Sequence, residues 1–353
     1  MKKLLLGNEA VARGLYEAGC GVVSSYPGTP STEITECAAK YDEIYAEWAP
    51  NEKVAMEVAI GSAIGGRRSF CGMKHVGVNV AADPLFTASY TGINAGMVIA
   101  VADDPGMHSS QNEQDSRHYA VSAKVPMLEP SDSSDALNFT KLAYELSEQF
   151  DTPVMLRMST RISHSQSLVE VGEREELPLK PYVKNVAKNV MVPAFARPKH
   201  EVVEKRTAAL REWAETAPIN QVIWGDKKIG IIAAGSTYMY AREVLGNKAS
   251  YLKLGMINPL PVKLIRDFAS QVETLYVIEE LDDVIETHCR KIGVSVIGKE
   301  LFPWVGEFSQ KLLREKLFGA EETTYAFPEA VPGRPPVLCA GCPHRGLFFV
   351  LNQ

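Results

Sequence analysis

Cysteine is scarce in this sequence: six in 353 residues, with no dense spacing. That argues against the disulfide framework of a small secreted domain, and Cys20, Cys37, Cys71 and Cys289 read as small core hydrophobes. Long apolar runs are missing too. The opening "MKKLLLG" sets two lysines before a short apolar run, but Glu9 and Arg13 follow at once. Neither a signal-peptide core nor a membrane span is expected, and the cytoplasm is the expected compartment. A basic excess is absent: 37 lysines and arginines against 43 acids leave a formal charge of −6, which argues against nucleic acid as a partner. There is no G-x-G-x-x-G and no P-loop lysine. "AAGSTYM" comes nearest to a phosphate turn, so nucleotide binding is disfavoured. The sequence also shows no solenoid repeat and no low-complexity tract.

What is present is alternation. "KLLLG", "GVVSSYPG", "IYAEWA", "RSFCGMKH", "GMVIAVAD", "VPMLEP" and "PVMLRM" read as short buried strands, and "NEAVARGLYEAGC", "NEKVAMEVAIGSAIGG" and "SDSSDALNFTKLAYELSEQF" as helices. Strand and helix in turn predict an α/β fold, a parallel sheet with helices on both faces, over residues 1–165. The charged, proline-punctuated stretch 166–225 reads as a connector wrapping the surface, with one amphipathic helix through Val202, Leu210 and Trp213. A second α/β unit spans 226–315, starting at "KIGIIAAGSTYMYAREVL". Residues 316–353 hold a proline-rich linker and "CAGCPHRG".

Ligands of parallel sheets bind beyond the carboxyl ends of the strands, which directs attention to four polar loops. In "SYPGTPSTEI", Thr29 before Pro30 reads as an N-cap followed by a first-turn proline. A helix start there also suits a substrate carboxylate, with Thr29 as a binding hydroxyl. In "WAPNEK", Asn51 is the expected cap and Glu52 lies in the first turn. Glu52 either complements the helix dipole or serves as a proton-handling carboxylate on an apolar helix; Glu57 is a second candidate. "HSSQNEQDSRHYA" gathers His108, Gln111, Asn112, Asp115, Arg117 and His118, and the planar fork of Arg117 could clamp a carboxylate. "MKHVGVN" adds Lys74, His75 and Asn79. Glu279 and Glu280 read as the polar end of the strand "TLYVI". Cys339 and Cys342, with His344, form a CxxCxH without a second ligand pair, so a closed four-ligand zinc site cannot be built locally.

Taken together, "SYPGTPSTE", "WAPNEKVAMEVAIG", "MKHVGVNVAADP", "HSSQNEQDSRHYA", "RMSTRISHSQ" and "CAGCPHRG" resemble, in order and spacing, the alpha subunits of indolepyruvate ferredoxin oxidoreductases. These belong to the thiamine-diphosphate-dependent 2-oxoacid:ferredoxin oxidoreductases. The resemblance implies a pyrimidine-binding domain over 1–165 and a transketolase C-terminal-like domain over 226–315. It also implies an enzyme that converts an arylpyruvate and CoA to aryl-acetyl-CoA and CO2 while reducing ferredoxin, in an oligomer with a beta subunit. Glu52 is then the catalytic acid that meets N1′ of the aminopyrimidine. Thr29 and Arg117 line the substrate site, and Tyr26, Pro27, Gly28, Lys74, His75 and Asn79 face the cofactor. The family continues past "CxGCPHRG" into a diphosphate-binding domain with a magnesium motif, then a segment whose cysteines hold [4Fe-4S] clusters. Neither segment is found in these 353 residues. Cys339 and Cys342 are candidate cluster ligands, and the chain by itself is expected to be inactive. Two alternatives stand beside this reading: another 2-oxoacid oxidoreductase or a non-oxidative thiamine enzyme, and a catalytically incomplete binding or scaffold fragment.

Overall fold

The computed structural model describes residues 1–319, 338 and 340–353. Strands and helices alternate from the start: β1 (Lys2–Leu6), α1 (Gly7–Glu17), β2 (Val22–Ser25), α2 (Thr32–Ala38), β3 (Tyr45–Trp48), α3 (Glu52–Ile64), β4 (Ser69–Lys74), α4 (His75–Thr91) and β5 (Met97–Asp103). The series continues with α5 (Arg117–Ala123), β6 (Met127–Leu128), α6 (Ser133–Phe150), β7 (Val154–Ser159), α7 (Thr160–His164) and β8 (Gln166–Glu170). Strands β6, β7, β5, β4, β2 and β3 lie side by side in that order, all parallel.

The central strands are buried on both faces because both faces are covered, whereas β3 at the edge leaves Tyr45 and Trp48 exposed. Along β5, Val98, Ala100 and Ala102 pack toward α1 and α6, while Met97, Ile99 and Val101 pack toward α3 and α4. Helix α3 buries Ala55, Met56, Ala59 and Ala63 against that second face, the i, i+1, i+4, i+8 spacing of a single helical stripe.

Beyond β8 come α8 (Val186–Asn189), the long α9 (Pro193–Thr216) and the short β9 (Gln221–Ile223). The second α/β unit is built from β10 (Ile229–Ala233), α10 (Gly235–Leu245), β11 (Ser250–Lys253), β12 (Met256–Asn258), α11 (Val262–Ala269), β13 (Thr274–Ile278) and α12 (Val284–Lys291). Helices α13 (Gln310–Phe318) and α14 (His344–Leu351) follow. Its four-stranded sheet runs β13-β10-β11-β9, with β9 antiparallel at the edge. The two units share structure. Strand β12 leaves the second unit to pair antiparallel with β6 at the edge of the first sheet, and Ile232, Leu252, Val277 and Ile285 join the same apolar cluster as Met56 and Ile99. Among the described residues, no helix is long and apolar enough to cross a membrane.

Four sequence expectations are corrected. "KLLLG" is not a buried strand: β1 pairs antiparallel with β8 in a separate two-stranded ribbon, with Leu4 opposite Leu168 and both exposed. Helix α2 starts at Thr32 with Ser31 as its cap residue, so Thr29 and Pro30 belong to the loop before it. Helix α4 carries an internal Pro84 and was not expected from the sequence at all. The connector's helix is longer than the expected one, and Val203, Arg206, Leu210 and Ala214 are buried. Arg206 donates to Ser89 Oγ and O at 3.0 and 2.8 Å and to Asp151 O at 3.0 Å, tying α9 to the end of α4.

One cap works between helices. Pro261 precedes α11 and offers no side-chain cap. Instead the Glu215 carboxylate of α9 accepts the N–H groups of Val262, Lys263 and Leu264 at 2.7, 3.0 and 2.8 Å. Glu215→Ala is expected to cost about 1–2 kcal/mol, as loss of an N-cap does. Urea unfolding at neutral pH measures it, and an unchanged midpoint would contradict the assignment.

Candidate active site

The carboxyl ends of β2, β3, β4 and β5 lie next to one another, so the loops after them meet at one edge of the sheet. The loop after β2 holds Tyr26, Pro27 and Thr29, all exposed, and half-buried Gly28. It is closed by hydrogen bonds from Gly28 N–H to Thr32 Oγ1 (3.0 Å) and from Ser31 Oγ to Gly28 O (2.9 Å). Gly28 lies on the start of the α4 segment: a β-carbon there would stand 2.9 Å from Lys74 Cβ.

After β3, Asn51 caps α3 as expected, its Oδ1 accepting Val54 N–H at 3.0 Å. Glu52 is the first helical residue and is half-buried. Its carboxylate accepts no hydrogen bond among the described residues. It lies against Gly77 of α4, where an added β-carbon would stand 2.7 Å from Oε1.

After β4, Lys74 and His75 are buried. Lys74 Nζ donates to Ser109 O; burial lowers its pKa, and Asp104 opposes that only partly. His75 Nε2 contacts Asn112 O at 3.2 Å, while its buried Nδ1 has no partner. These two residues therefore pin the 104–116 loop across the strand ends. Asp104 fastens the same loop, accepting Ser109 N–H at 2.9 Å and the hydroxyls of Ser110 and Thr160 at 2.5 and 2.7 Å. Asn79 is exposed and accepts the Tyr119 hydroxyl at 2.5 Å.

Arg117 departs from its expected role. It is 1% exposed, and its guanidinium is consumed internally. It forks onto Asp115 (2.5–3.0 Å), donates to Glu279, and reaches the carbonyls of Glu280 and Asp282 at 3.0 and 2.9 Å. The substrate clamp read from the sequence is corrected to a buried tie between the two α/β units. Glu279 and Glu280 directly follow β13, as its expected polar end, and both are buried there, 4% and 7% exposed.

These residues belong to one buried cluster. Arg157 Nε donates to Asp103 Oδ2 and its Nη1 to Glu129 Oε1, both at 2.7 Å. Glu279 also accepts the N–H groups of Ile285 and Glu286 at the start of α12. Arg117 and Arg157 together hold Asp115 well below the usual carboxylate range against the opposing effect of burial. Burial pushes Asp103 and Glu279 up. Glu280 rises to about 7: burial is the main cause and Glu307 adds to it, while Phe308 N–H, Arg157 and Ser236 offset it only in part.

Because folding raises the pKa of Glu280 above its ordinary 4.5, its protonated form stabilises the fold below about pH 4.5, and that stability is lost as pH climbs through 7. The difference corresponds to roughly 3 kcal/mol. Glu280→Gln is therefore expected to flatten the decline in unfolding free energy between pH 5 and 8. Urea melts at both ends of that range measure it, and an equally steep decline in the variant would contradict the assignment.

Of the cysteine pair, Cys342 is half-buried with Sγ 3.4 Å from His344 Nδ1; Cys339 lies outside the described residues. Sequence reading missed Gly77, Asp103, Glu129 and Arg157 as members of these clusters. The two carboxylates at strand ends and the Arg in "MLRM" were the available signal.

A family model described as pyruvate flavodoxin/ferredoxin oxidoreductase, thiamine diphosphate-binding, matches residues 13–217. The chain is 43% identical to indolepyruvate oxidoreductase subunit IorA of Methanothermobacter marburgensis, covering 99% of this chain and 60% of that one. It thus spans about 60% of the length of that relative. Among solved structures, it resembles 2-oxoglutarate:ferredoxin oxidoreductase from Magnetococcus marinus with a TM-score of 0.75 at 17% identity, over 90% of this chain and 64% of the other. It also resembles a split-gene transketolase in an inactive beta4 tetramer, with a TM-score of 0.54 at 17% identity, over 83% and 88%. At that identity these two show the fold alone; the thiamine diphosphate-binding character comes from the family model over residues 13–217. With identity above 40% along its whole length and the family's binding module over more than half of it, the chain belongs to the 2-oxoacid:ferredoxin oxidoreductases, as an IorA-like alpha subunit.

Proposed function

We propose that this chain supplies the aminopyrimidine side of a thiamine diphosphate site. The enzyme it serves decarboxylates an arylpyruvate oxidatively with CoA, giving aryl-acetyl-CoA and CO2 and passing two electrons to ferredoxin. The observation that carries this is the Glu52 carboxylate: placed at the carboxyl edge of the sheet, seated on Gly77, and without a hydrogen-bond donor among the described residues. A protonated ring nitrogen is the donor such a carboxylate lacks. The residues present therefore fit the group.

Thiamine diphosphate, when bound, supplies the electron sink for decarboxylation. The protein's part is placement and proton control. Glu52 holds a proton shared with N1′ of the aminopyrimidine. The loop of Tyr26, Pro27, Gly28 and Thr29 borders the site on one side, with Thr29 offering an exposed hydroxyl to substrate. Lys74 and His75 act through the 104–116 loop they pin, and Asn79 lies one turn beyond His75 on α4. In this reading residues 1–165 are the pyrimidine-binding domain, 226–315 the transketolase C-terminal-like domain, and 166–225 their connector. The diphosphate, Mg2+ and [4Fe-4S] clusters are held by a diphosphate-binding domain and a cysteine-bearing segment. Cys339 and Cys342 could serve such a cluster only with ligands from outside the pair. A beta subunit completes the oligomer, in the cytoplasm.

The aryl preference is supported by the relatives' name and tested by rates. With the assembled enzyme, ferredoxin reduction should show a higher kcat/KM for indolepyruvate than for pyruvate or 2-oxoglutarate. Preference for either short oxoacid would overturn the substrate assignment, and turnover independent of thiamine diphosphate would overturn the cofactor.

A further inference from the structure

The role of Glu52 depends on where its carboxyl group sits, and two rigid helices determine that. The first turn of α3 is closed by the Asn51 cap, and its inner face is buried through Ala55, Met56, Ala59 and Ala63. Helix α4 is anchored by buried Val78, Ala81 and Leu85. Lys53 and Asp83 form an ion pair of 2.9 Å across the two helices. Between these backbones the Glu52 side chain crosses directly over Gly77. A β-carbon on Gly77 would stand 2.6 Å from Glu52 Cγ, 2.9 Å from Cδ and 2.7 Å from Oε1. The space in which any other residue carries its β-carbon is filled by the carboxyl end of Glu52.

No backbone requirement explains the glycine. Gly77 is helical and has no left-handed φ, and alanine is the better helix former at such a position. What demands glycine is the close approach of the acid. We propose that Gly77 is a positioning residue for Glu52: its missing side chain sets the depth and direction from which the carboxyl group meets the aminopyrimidine, an inference that rests on the reading of Glu52 given above.

The test uses the assembled enzyme with Gly77→Ala, Glu52→Asp, the double variant and Glu52→Gln. Four readouts apart from turnover are taken: proton exchange at C2 of bound thiamine diphosphate, the cofactor's dissociation constant, the near-ultraviolet circular dichroism of its imino tautomer, and the melting temperature. Gly77→Ala should slow C2 exchange about a hundredfold, as an ångström-scale misplacement does. It should also diminish the imino signal and leave the melting temperature at or above that of the wild type. Glu52→Asp alone should lose exchange as well. In the double variant the shorter acid clears the added methyl, so its loss should be smaller than the product of the two single losses. Wild-type exchange in Gly77→Ala, or losses that multiply in the double variant, would overturn the inference. Wild-type exchange in Glu52→Gln would instead overturn the reading of Glu52, which separates the two failures.

Discussion

Glu52→Gln in the assembled enzyme is expected to lower turnover by about two to four orders of magnitude, the range over which a positioned acid or base contributes, with no change in fold. The amide keeps the shape of the side chain and its place over Gly77 but cannot share a proton with a ring nitrogen. Both partners of the shared proton are needed, because the carboxylate has no other hydrogen bond to fall back on among the described residues. The N-terminus of α3 keeps its own cap in Asn51, so the helix does not depend on Glu52 and the melting temperature should hold. Exchange of the cofactor's C2 proton separates this from a substrate effect: it should slow in the variant even without any 2-oxoacid. Retention of wild-type exchange together with lost turnover would place Glu52 elsewhere in the cycle.

Arg117→Met is expected to destabilise the protein by about 3–5 kcal/mol, the cost of removing one partner from a buried ion pair. Glu279 would lose its guanidinium partner, and Asp115 would keep only Arg157, at 3.9 Å. The carbonyls of Glu280 and Asp282 would also lose their donor. Arg117→Lys keeps the charge but loses the fork, so its midpoint in urea should fall between those of the wild type and the methionine variant. Neutralising the acids as well, with Asp115→Asn and Glu279→Gln added to Arg117→Met, should recover part of the loss, since no unpaired charge remains. The alternative that the sequence suggested, a substrate clamp, predicts unchanged unfolding and weakened 2-oxoacid binding. Denaturation midpoints and oxoacid titrations on the same three variants distinguish the two.

The strands of the main sheet were legible because most are apolar runs closed by polar loops, the pattern that a parallel sheet covered on both faces requires; β3, read as buried, is an exposed edge strand, with Tyr45 and Trp48 on the surface. The Asn51 cap was legible from its place before an apolar helix. What escaped reading has particular physical causes. Helix α4 has no single apolar face, since Val80 and Phe86 stand exposed beside polar Asn79 and Asp83, and it is interrupted by Gly77 and Pro84, so it shows neither helical periodicity nor uninterrupted propensity; with it, the surface under Glu52 was missed. Arg117 was misread because one of its carboxylate partners, Glu279, lies 162 residues further along the chain. A buried ion pair and a solvated one look the same in a sequence. The ribbon of β1 and β8 was misread because "KLLLG" has core composition while its partner strand, Gln166–Glu170, does not announce the pairing.

The most direct measurement of the central claim is a diffraction structure of the assembled enzyme with thiamine diphosphate bound. The account predicts the Glu52 carboxylate within hydrogen-bond reach of N1′, about 2.6–3.2 Å, still lying across Gly77. It also predicts Arg117 still locked between Asp115 and Glu279, away from substrate. An aminopyrimidine ring held by another acid, with Glu52 turned to solvent, would contradict it.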